Sequence, residues 1–254
     1  MNTPASWLML WLPLTPVAAF AANPASTEIA ALATLCTDGV PTTTAPARIE
    51  AACTSAIDAR VYETRQLALL HLARANVYDF LGEKSKALAD YNLAIQTAPD
   101  VPSIYFNRGV YFASLNDLDA ALKDYDAALR LDPDLVPALY NRARIRTARG
   151  AFPEALADYS HAIERQPEEA RLWMERGLLY LREADYQRAL QDEDAAIRLA
   201  PRLALAHLYR GAALGRQGNT DAAVEETRIA ISIDPALARQ LKTNPDSQSA
   251  RPAP

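Results

Sequence analysis

Charged side chains of opposite sign recur along this chain at one fixed spacing. Five arginines stand 34 residues apart, and a carboxylate follows each of them 16 residues later. The arginines are Arg74, Arg108, Arg142, Arg176 and Arg210, and the carboxylates are Asp90, Asp124, Asp158, Asp192 and Glu226. A guanidinium can hold a carboxylate through two parallel hydrogen bonds, and a buried charge needs such a partner. We therefore interpret the series as a structural ion-pair ladder, and the alternative is that these arginines bind acidic ligands.

The same period of 34 residues recurs in three other series, so the chain is a repeat protein. These series are the prolines Pro99, Pro133, Pro167, Pro201 and Pro235, the alanines Ala87, Ala121, Ala155, Ala189 and Ala223, and the alanines Ala94, Ala128, Ala162, Ala196 and Ala230. Within one period, apolar residues recur at three- and four-residue steps in two stretches, which predicts two helices. A break at Asn116-Asp117 separates the stretches, and Pro133 ends the second. The predicted unit is therefore two helices that are joined by a turn, and a proline ends the second helix.

This unit resembles the tetratricopeptide repeat, which has small residues in both helices, an aromatic residue in the second helix and a closing proline. The resemblance covers residues 68–237 and implies an all-α solenoid of antiparallel helix pairs that form a right-handed superhelix. Its five units are 68–101, 102–135, 136–169, 170–203 and 204–237. In residues 22–67, the segment 48–59 resembles the second helix of a degenerate half-repeat that caps the array. Residues 238–254 are predicted to form a short helix and a disordered tail.

The family's geometry implies that residues beside the packing stripe of each first helix line a concave groove. The groove candidates are Asn76, Phe106, Asn107, Val110, Tyr140, Asn141, Arg144, Arg171, Glu175, Arg182 and Tyr209. An asparagine amide can both donate to and accept from an extended peptide backbone, or it can simply solvate an exposed helix. The arginines would favour a partner that carries carboxylates, or their stems could cover neighbouring helices with their heads in water. By contrast, Tyr105, Phe112, Tyr125 and Trp173 are predicted to be core residues.

The N-terminal part of the chain has features of an exported protein. Residues 1–21 carry no charged side chain, run apolar from Trp7 to Phe20 and end in a small-x-small sequence, so we expect signal cleavage after Ala21. An uncleaved anchor and a cytosolic start are the alternatives. In a periplasmic or secreted protein, Cys36 and Cys53 would form a disulfide, and the alternative is two unrelated thiols.

Composition and motifs narrow the function. A net charge of -5 and a pI near 5.3 argue against a general nucleic-acid binder. The sequence contains no Gly-rich phosphate loop, no paired-histidine metal motif and no nucleophile elbow, so we predict no enzymatic activity, no cofactor and no bound metal. The expected function is a protein or peptide interaction module in the cell envelope, without stable membrane insertion after signal cleavage. The alternative is a structural or self-associating scaffold that uses its outer surface.

Export makes a direct prediction about the mature N-terminus. If residues 1–21 are a signal peptide, the native protein should begin at Ala22, because the peptidase cuts after the second small residue of the site. Intact-mass measurement of the native protein checks this. A full-length chain beginning at Met1 in the soluble cytosolic fraction would rule out export.

Overall fold

The structure, a computed structural model of the chain, describes residues 24–39 and 45–243, and the regular secondary structure in these ranges is entirely α-helical. The helices are α1 Pro24–Asp38, α2 Pro46–Asp58, α3 Thr64–Phe80, α4 Lys84–Thr97, α5 Pro102–Ser114, α6 Leu118–Leu131, α7 Val136–Ala148, α8 Phe152–Arg165, α9 Ala170–Arg182, α10 Tyr186–Leu199, α11 Ala204–Arg216, α12 Thr220–Ile233 and α13 Ala236–Thr243. The predicted signal peptide and the predicted tail after Thr243 lie outside the described residues. The predicted all-α fold of stacked helix pairs is confirmed.

Consecutive helices pack against each other as pairs, and each pair packs against the next within its compact unit. The pairs α1/α2, α3/α4, α5/α6, α9/α10 and α11/α12 are in direct contact, and ion pairs join α7 to α8. The first unit ends at Ala138 and the second begins at Leu139. First helices also contact one another, α3 with α5 in the first unit and α9 with α11 in the second. This arrangement places side chains of successive first helices side by side.

The turns inside the pairs from α3/α4 to α11/α12 each use one residue in the left-handed backbone region. These residues lie 34 apart and are Gly82, Asn116, Gly150, Ala184 and Gly218. In each turn, the N–H of the next residue donates to the carbonyl five residues back at 2.8–3.0 Å, which caps the first helix in a Schellman motif. A Cβ at Gly82, Gly150 or Gly218 would meet nothing within 4 Å, so steric crowding does not require glycine there. The positive φ angle does, because residues with a Cβ rarely adopt it. Ala184, with φ 58°, adopts this conformation at a cost of about 1 kcal/mol.

Small residues let the two helices of a pair approach closely. All ten alanines of the two periodic series are at most 2 % exposed. Tyr91, Tyr125 and Tyr159, one from each of three second helices, are also buried. A Cβ on Gly109 would lie 2.7 Å from Cε1 of Tyr125, closer than carbon atoms can pack. The small residue on the first helix therefore makes the room that the tyrosine ring of the second helix fills.

The predicted ion-pair ladder is present at every one of its five positions. The distance from a guanidinium nitrogen to a carboxylate oxygen is 2.7 Å for Arg74–Asp90, 2.8 Å for Arg108–Asp124, 2.6 Å for Arg142–Asp158, 2.8 Å for Arg176–Asp192 and 2.6 Å for Arg210–Glu226. The four aspartates are buried and accept two hydrogen bonds each from the guanidinium fork. Arg146, which stands where other repeats have an aromatic residue, adds a second guanidinium to Asp158 at 2.6 Å.

Electrostatics at the first ladder position favour the ionised carboxylate. Burial alone would raise the pKa of Asp90, but hydrogen bonds from His71 and Arg74 outweigh it and hold that pKa below its ordinary value. The same bond to Asp90 raises the pKa of Arg74. The pair therefore stays charged at neutral pH.

The ladder arginines also reach back to the preceding helix pair. Arg74 donates to Thr54 at 3.1 Å, Arg108 to Asn92 at 2.7 Å, Arg176 to Ser160 at 3.0 Å and Arg210 to Asp194 at 2.7 Å. Three of these guanidinium groups also lie over an aromatic ring one turn further along their own helix, at 5.7–5.9 Å from the centroid. A single side chain thus joins both helices of one pair to the second helix of the pair before it.

Several aromatic side chains anchor the loops that precede their helices. The polar ring atoms of Tyr105 and Trp173 donate to the carbonyls of Pro99 and Pro167, at 3.2 and 2.8 Å, and Nε2 of His207 lies 3.1 Å from the carbonyl of Pro201. Among the four predicted core residues, Tyr125 is fully buried, whereas Tyr105, Phe112 and Trp173 are half-buried. The rings of Tyr105 and Trp173 are thus partly buried, while their polar atoms hydrogen-bond to the preceding loop.

The N-terminal segment forms a helix pair of its own. Helix α2 corresponds to the segment predicted as a degenerate second helix, and α1 supplies the first helix, which its sequence did not indicate. A disulfide joins Cys36 of α1 to Cys53 of α2, with their Cα atoms 4.7 Å apart. Both cysteines pack in one cluster with Leu70 and Val77 of α3, so the disulfide lies in the core of this end of the first unit.

Removal of one ladder carboxylate should destabilise the fold. Asp124→Ala leaves Arg108 without its bidentate partner between packed helices, and we expect a loss of about 3 kcal/mol of unfolding free energy. The matched control is Glu164→Ala, which removes an exposed carboxylate and should change stability by at most ~0.5 kcal/mol. Thermal and urea unfolding monitored by circular dichroism measure both. Equal stability of the two variants would show that the ladder contributes no more than surface pairs.

Candidate functional site

The first helices of the second unit bring a set of polar and charged side chains together around Glu175. We call this set the polar face. It comprises Tyr140 and Arg144 of α7, Arg171, Glu175 and Arg182 of α9, and Tyr209 of α11. All six are groove candidates from the sequence, and contacts or charge interactions with Glu175 link them across α7, α9 and α11.

Glu175 is the centre of the polar face. Its Oε1 accepts a hydrogen bond from the hydroxyl of Tyr140 at 3.2 Å. Burial raises the pKa of Glu175, while the positive charges of Arg144, Arg171 and Arg182 and the Tyr140 hydrogen bond act in the opposite direction. Arg171 and Arg182 are exposed to solvent, whereas the Arg144 guanidinium lies over the Tyr140 ring at 5.7 Å. The face therefore has a half-buried acidic centre and positive charge around it.

Glu193 of α10 is a second acidic group near Glu175, and its side chain is completely buried. It occupies the position that Tyr91, Tyr125 and Tyr159 hold in the three preceding repeats. A Cβ on Gly177 would lie 2.6 Å from Oε1 of Glu193, so the glutamate uses the space that the tyrosine ring uses elsewhere. Among the described residues, neither of its carboxyl oxygens has a hydrogen-bonding partner.

The environment of Glu193 strongly favours its neutral form. Burial, followed by the negative charges of Asp192, Glu175 and Asp194, raises the pKa of Glu193 to about 10. Glu193 is therefore a neutral carboxylic acid at pH 7. We call Glu175 and Glu193 together the carboxyl pair.

Tyrosine hydroxyl groups border the carboxyl pair. Burial and the charge of Glu175 raise the pKa of Tyr140 to about 12. Burial and the charges of Glu175 and Glu193 do the same for Tyr209, whose pKa also rises to about 12. Tyr159 packs edge-on against Tyr140 with ring centroids 6.0 Å apart, and burial raises its pKa as well. These hydroxyls stay protonated at all physiological pH values and can donate hydrogen bonds.

Asn141 lies deeper than an exposed groove residue would. It is 2 % exposed, and its Oδ1 has no hydrogen-bonding partner among the described residues. The structure thus gives it neither of the environments considered from the sequence: it is not a solvated surface amide, and it does not project openly from α7.

The groove candidates of the first unit are held by contacts within that unit. Asn76 accepts a hydrogen bond from the Tyr91 hydroxyl at 2.7 Å, and the amide of Asn107 donates to the Ser103 carbonyl one turn back, also at 2.7 Å. Phe106 is fully buried against Tyr125, and Val110 is 8 % exposed.

Sequence reasoning missed Glu193 as a site residue, although the signal was visible. At position 193 a glutamate replaces the tyrosine found at 91, 125 and 159. The distinguishing sign is that a carboxyl group replaces a residue whose position is always buried, because burial of an ionisable group carries a large energetic cost. Thr227, at the same position in the last repeat, is instead satisfied by the Ala223 carbonyl at 2.9 Å.

Two further properties of the described residues bear on function. No group of three or more His, Cys, Asp or Glu side chains in residues 24–39 and 45–243 is arranged to hold a metal ion. Within the same ranges, none of the helices combines the length and apolar character that a bilayer crossing requires.

Sequence profiles of the tetratricopeptide repeat match three parts of the chain, residues 68–101, 102–135 and 140–204. No protein among the curated sequences matches significantly. The first two matched segments end in the loops that follow α4 and α6.

Solved structures of similar fold support the same architecture. YrrB, described as a tetratricopeptide-repeat protein with an unusual peptide-binding site, is 22% identical over 76% of this chain and 98% of its own, with a TM-score of 0.63. MamA from Desulfovibrio magneticus is 20% identical over 66% of this chain and 96% of its own, with a TM-score of 0.61. The C-terminal part of a repeat protein from Cytophaga hutchinsonii is 16% identical over 84% of this chain and 82% of its own, with a TM-score of 0.66. At these identities the similarity shows the fold alone.

The buried acid makes stability depend on pH in a defined direction. The pKa of Glu193 is about 10 in the folded protein and about 4.5 in the unfolded chain, so the folded state keeps a proton that the unfolded state releases. Stability from this group is complete below pH 4.5 and falls as pH rises towards 10, by roughly 1.4 kcal/mol per pH unit. Glu193→Gln should remove this slope, so its stability relative to the wild type should increase between pH 5 and pH 8. Urea unfolding across this range measures the difference, with the exposed Glu168→Gln as the control. Parallel pH profiles for wild type and Glu193→Gln would contradict a buried neutral acid.

Proposed function

This chain belongs to the tetratricopeptide-repeat family, and from that premise we propose that it binds an extended segment of a partner protein on the polar face of its second unit. The family consists of interaction scaffolds that are generally non-catalytic. In this proposal, residues 68–237 act as five repeats and the groove residues contact the partner directly.

The convergence of charged and hydroxyl groups from three successive first helices carries the proposal. Tyr140, Glu175 and Tyr209 lie at corresponding or adjacent places on α7, α9 and α11, so they offer contacts at one-repeat intervals. Arg171 and Arg182 expose their charges beside them, and such charges attract and orient a partner. An extended segment running across the helices could contact all three.

The second unit is the better candidate because two of its charged groove residues, Arg171 and Arg182, are exposed to solvent. In the first unit, Asn76 and Asn107 are engaged in internal hydrogen bonds, and Phe106 is fully buried. YrrB, which shares the fold, has a peptide-binding site, which makes a peptide-like occupant a reasonable hypothesis for this chain too.

We further propose that the protein acts outside the cytoplasm, in the periplasm or as a secreted protein. The uncharged apolar start and the sequence Ala19-Phe20-Ala21 support export. The Cys36–Cys53 disulfide also favours an oxidising compartment, because disulfides are rare in reducing ones.

The proposal predicts that exposed arginines of the polar face control binding of extended peptides. Random peptides of about twelve residues, which reach ~40 Å when extended, are displayed on phage and selected on the wild-type protein. The affinity of the selected peptides should fall at least about tenfold, or ~1.4 kcal/mol, in an Arg171→Ala/Arg182→Ala variant, and the loss should shrink in high salt.

The control variant is Arg198→Ala/Arg202→Ala, which removes two other exposed arginines from the same unit. It changes the net charge equally and should keep the affinity of the selected peptides. The reverse result, in which only the control variant loses binding, would favour the alternative of a scaffold that uses its outer surface. Circular dichroism checks that both variants keep their helical content.

A further inference from the structure

The carboxyl pair has more hydrogen-bond acceptors than the protein supplies with donors. Both oxygens of Glu193 lack a partner among the described residues, although the side chain is completely buried. Glu175 receives a hydrogen bond from Tyr140, at 3.2 Å. Buried polar atoms in native proteins are nearly always hydrogen-bonded, so an unsatisfied buried carboxyl group indicates a missing hydrogen-bonding partner.

A purely structural role does not account for a glutamate at position 193. The repeats that carry Tyr91, Tyr125 and Tyr159 fill the same space with an aromatic ring, which stabilises the fold through apolar contacts. A carboxyl group there must stay neutral or pay a large desolvation cost. A costly group beside a surface of converging polar side chains is a common property of binding sites.

We propose that the carboxyl pair recognises a lysine or arginine side chain of the bound segment, and that acidic residues flanking it contact the surrounding arginines. This proposal rests on the proposed function and specifies the chemistry of its partner. An ammonium supplies three N–H donors and a guanidinium five, and both oxygens of Glu193 can accept from them once its proton has left.

The distribution of charge explains why the basic residue needs acidic neighbours. Arg144, Arg171 and Arg182 surround Glu175 and would repel an isolated cation. Arg171 and Arg182 are exposed, so carboxylates of the segment can pair with them while its basic side chain enters between Glu175 and Glu193. A segment of the pattern acidic, basic, acidic therefore matches the charges of the polar face from its edge to its centre.

Binding of a cation also changes the protonation of Glu193. In the free protein, Glu193 is a neutral acid, held so by burial and by the charges of Asp192 and Asp194 on its own helix and Glu175 on α9. The nearest titratable hydroxyl on α11 is Tyr209, which remains protonated. When the cation arrives, the O–H bond of Glu193 breaks, the proton passes to the solvent, and the carboxylate pairs with the cation. One proton is released for each segment bound.

The experiment uses the phage-selected peptides and synthetic versions in which the basic residue is replaced by norleucine, an uncharged analogue. Peptides selected on the wild type should be enriched in lysine or arginine between acidic residues, and the norleucine versions should bind about tenfold or more weakly. The affinity of the basic peptides should rise up to about tenfold per pH unit between pH 7 and pH 9, because the released proton is carried away. Calorimetry in two buffers of different ionisation enthalpy counts that proton directly.

Two variants separate recognition from folding. Glu193→Gln keeps the shape of the side chain, and Glu193→Tyr restores the residue found at 91, 125 and 159. Both should fold, lose the preference for a basic residue and bind the same peptides without proton release. The exposed Glu168→Gln should behave as the wild type.

Each outcome decides between the two proposals. If the selected peptides depend on Arg171 and Arg182 but show no basic residue, or if both Glu193 variants keep the preference and the proton release, this inference is wrong and the proposed function stands. If no peptide is selected, or if binding ignores the polar face, the proposed function fails and this inference with it.

Discussion

The arginine in each first helix is the interaction on which the stacking of the helix pairs depends. Its guanidinium fork holds the carboxylate of its own second helix, and another of its N–H groups reaches a polar side chain of the preceding pair, such as Asn92 or Ser160. One residue therefore fixes the helices within a pair and, inside each unit, that pair to the one before it. Because the four aspartates are buried, loss of the arginine would leave a buried carboxylate without its bidentate partner. The equivalent spacing of groove side chains within each unit follows from this repeated contact.

The second constraint is the close approach of the two helices, which the small residues permit and the buried tyrosines fill. Gly109 and Tyr125 show the ordinary solution, and Gly177 and Glu193 show the same backbone with a different occupant. The glycine on the first helix accepts either side chain because both use the same space. A change of one residue can therefore alter the chemistry beneath the polar face while the helix pair keeps its geometry. This separation of scaffold from site is typical of repeat proteins, in which the packing residues and the binding residues lie on different stripes of the same helices.

Burial gives the polar face properties that its composition does not suggest. Three arginines and two glutamates on an exposed surface would be an ordinary mixture of solvated charges. Here Glu193 is neutral, Glu175 has a raised pKa, and the hydroxyls of Tyr140 and Tyr209 bond or border them. Such a face can discriminate between partners by hydrogen-bonding pattern and by charge, since a mismatch leaves a buried group unpaired.

The sequence by itself determined the repeat, the helix pairs, the pairing of Arg108 with Asp124 and its equivalents, and the closing prolines, because these depend on local periodicity and on contacts that recur in every unit. It also identified Glu175 and its neighbouring arginines as groove candidates, because the family's geometry implies that residues beside the packing stripe of each first helix line the groove. Only the tertiary structure decided how deeply each of them lies. Asn141 is buried, Asn107 is tied to Ser103, and Glu193 has no hydrogen-bonding partner among the described residues. These properties depend on how side chains from different helices fill one volume, and a one-dimensional pattern contains no measure of that volume.

The N-terminal helix α1 escaped prediction for a related reason, since its place is set by the disulfide and by contacts with α3 and not by any repeat of its own sequence.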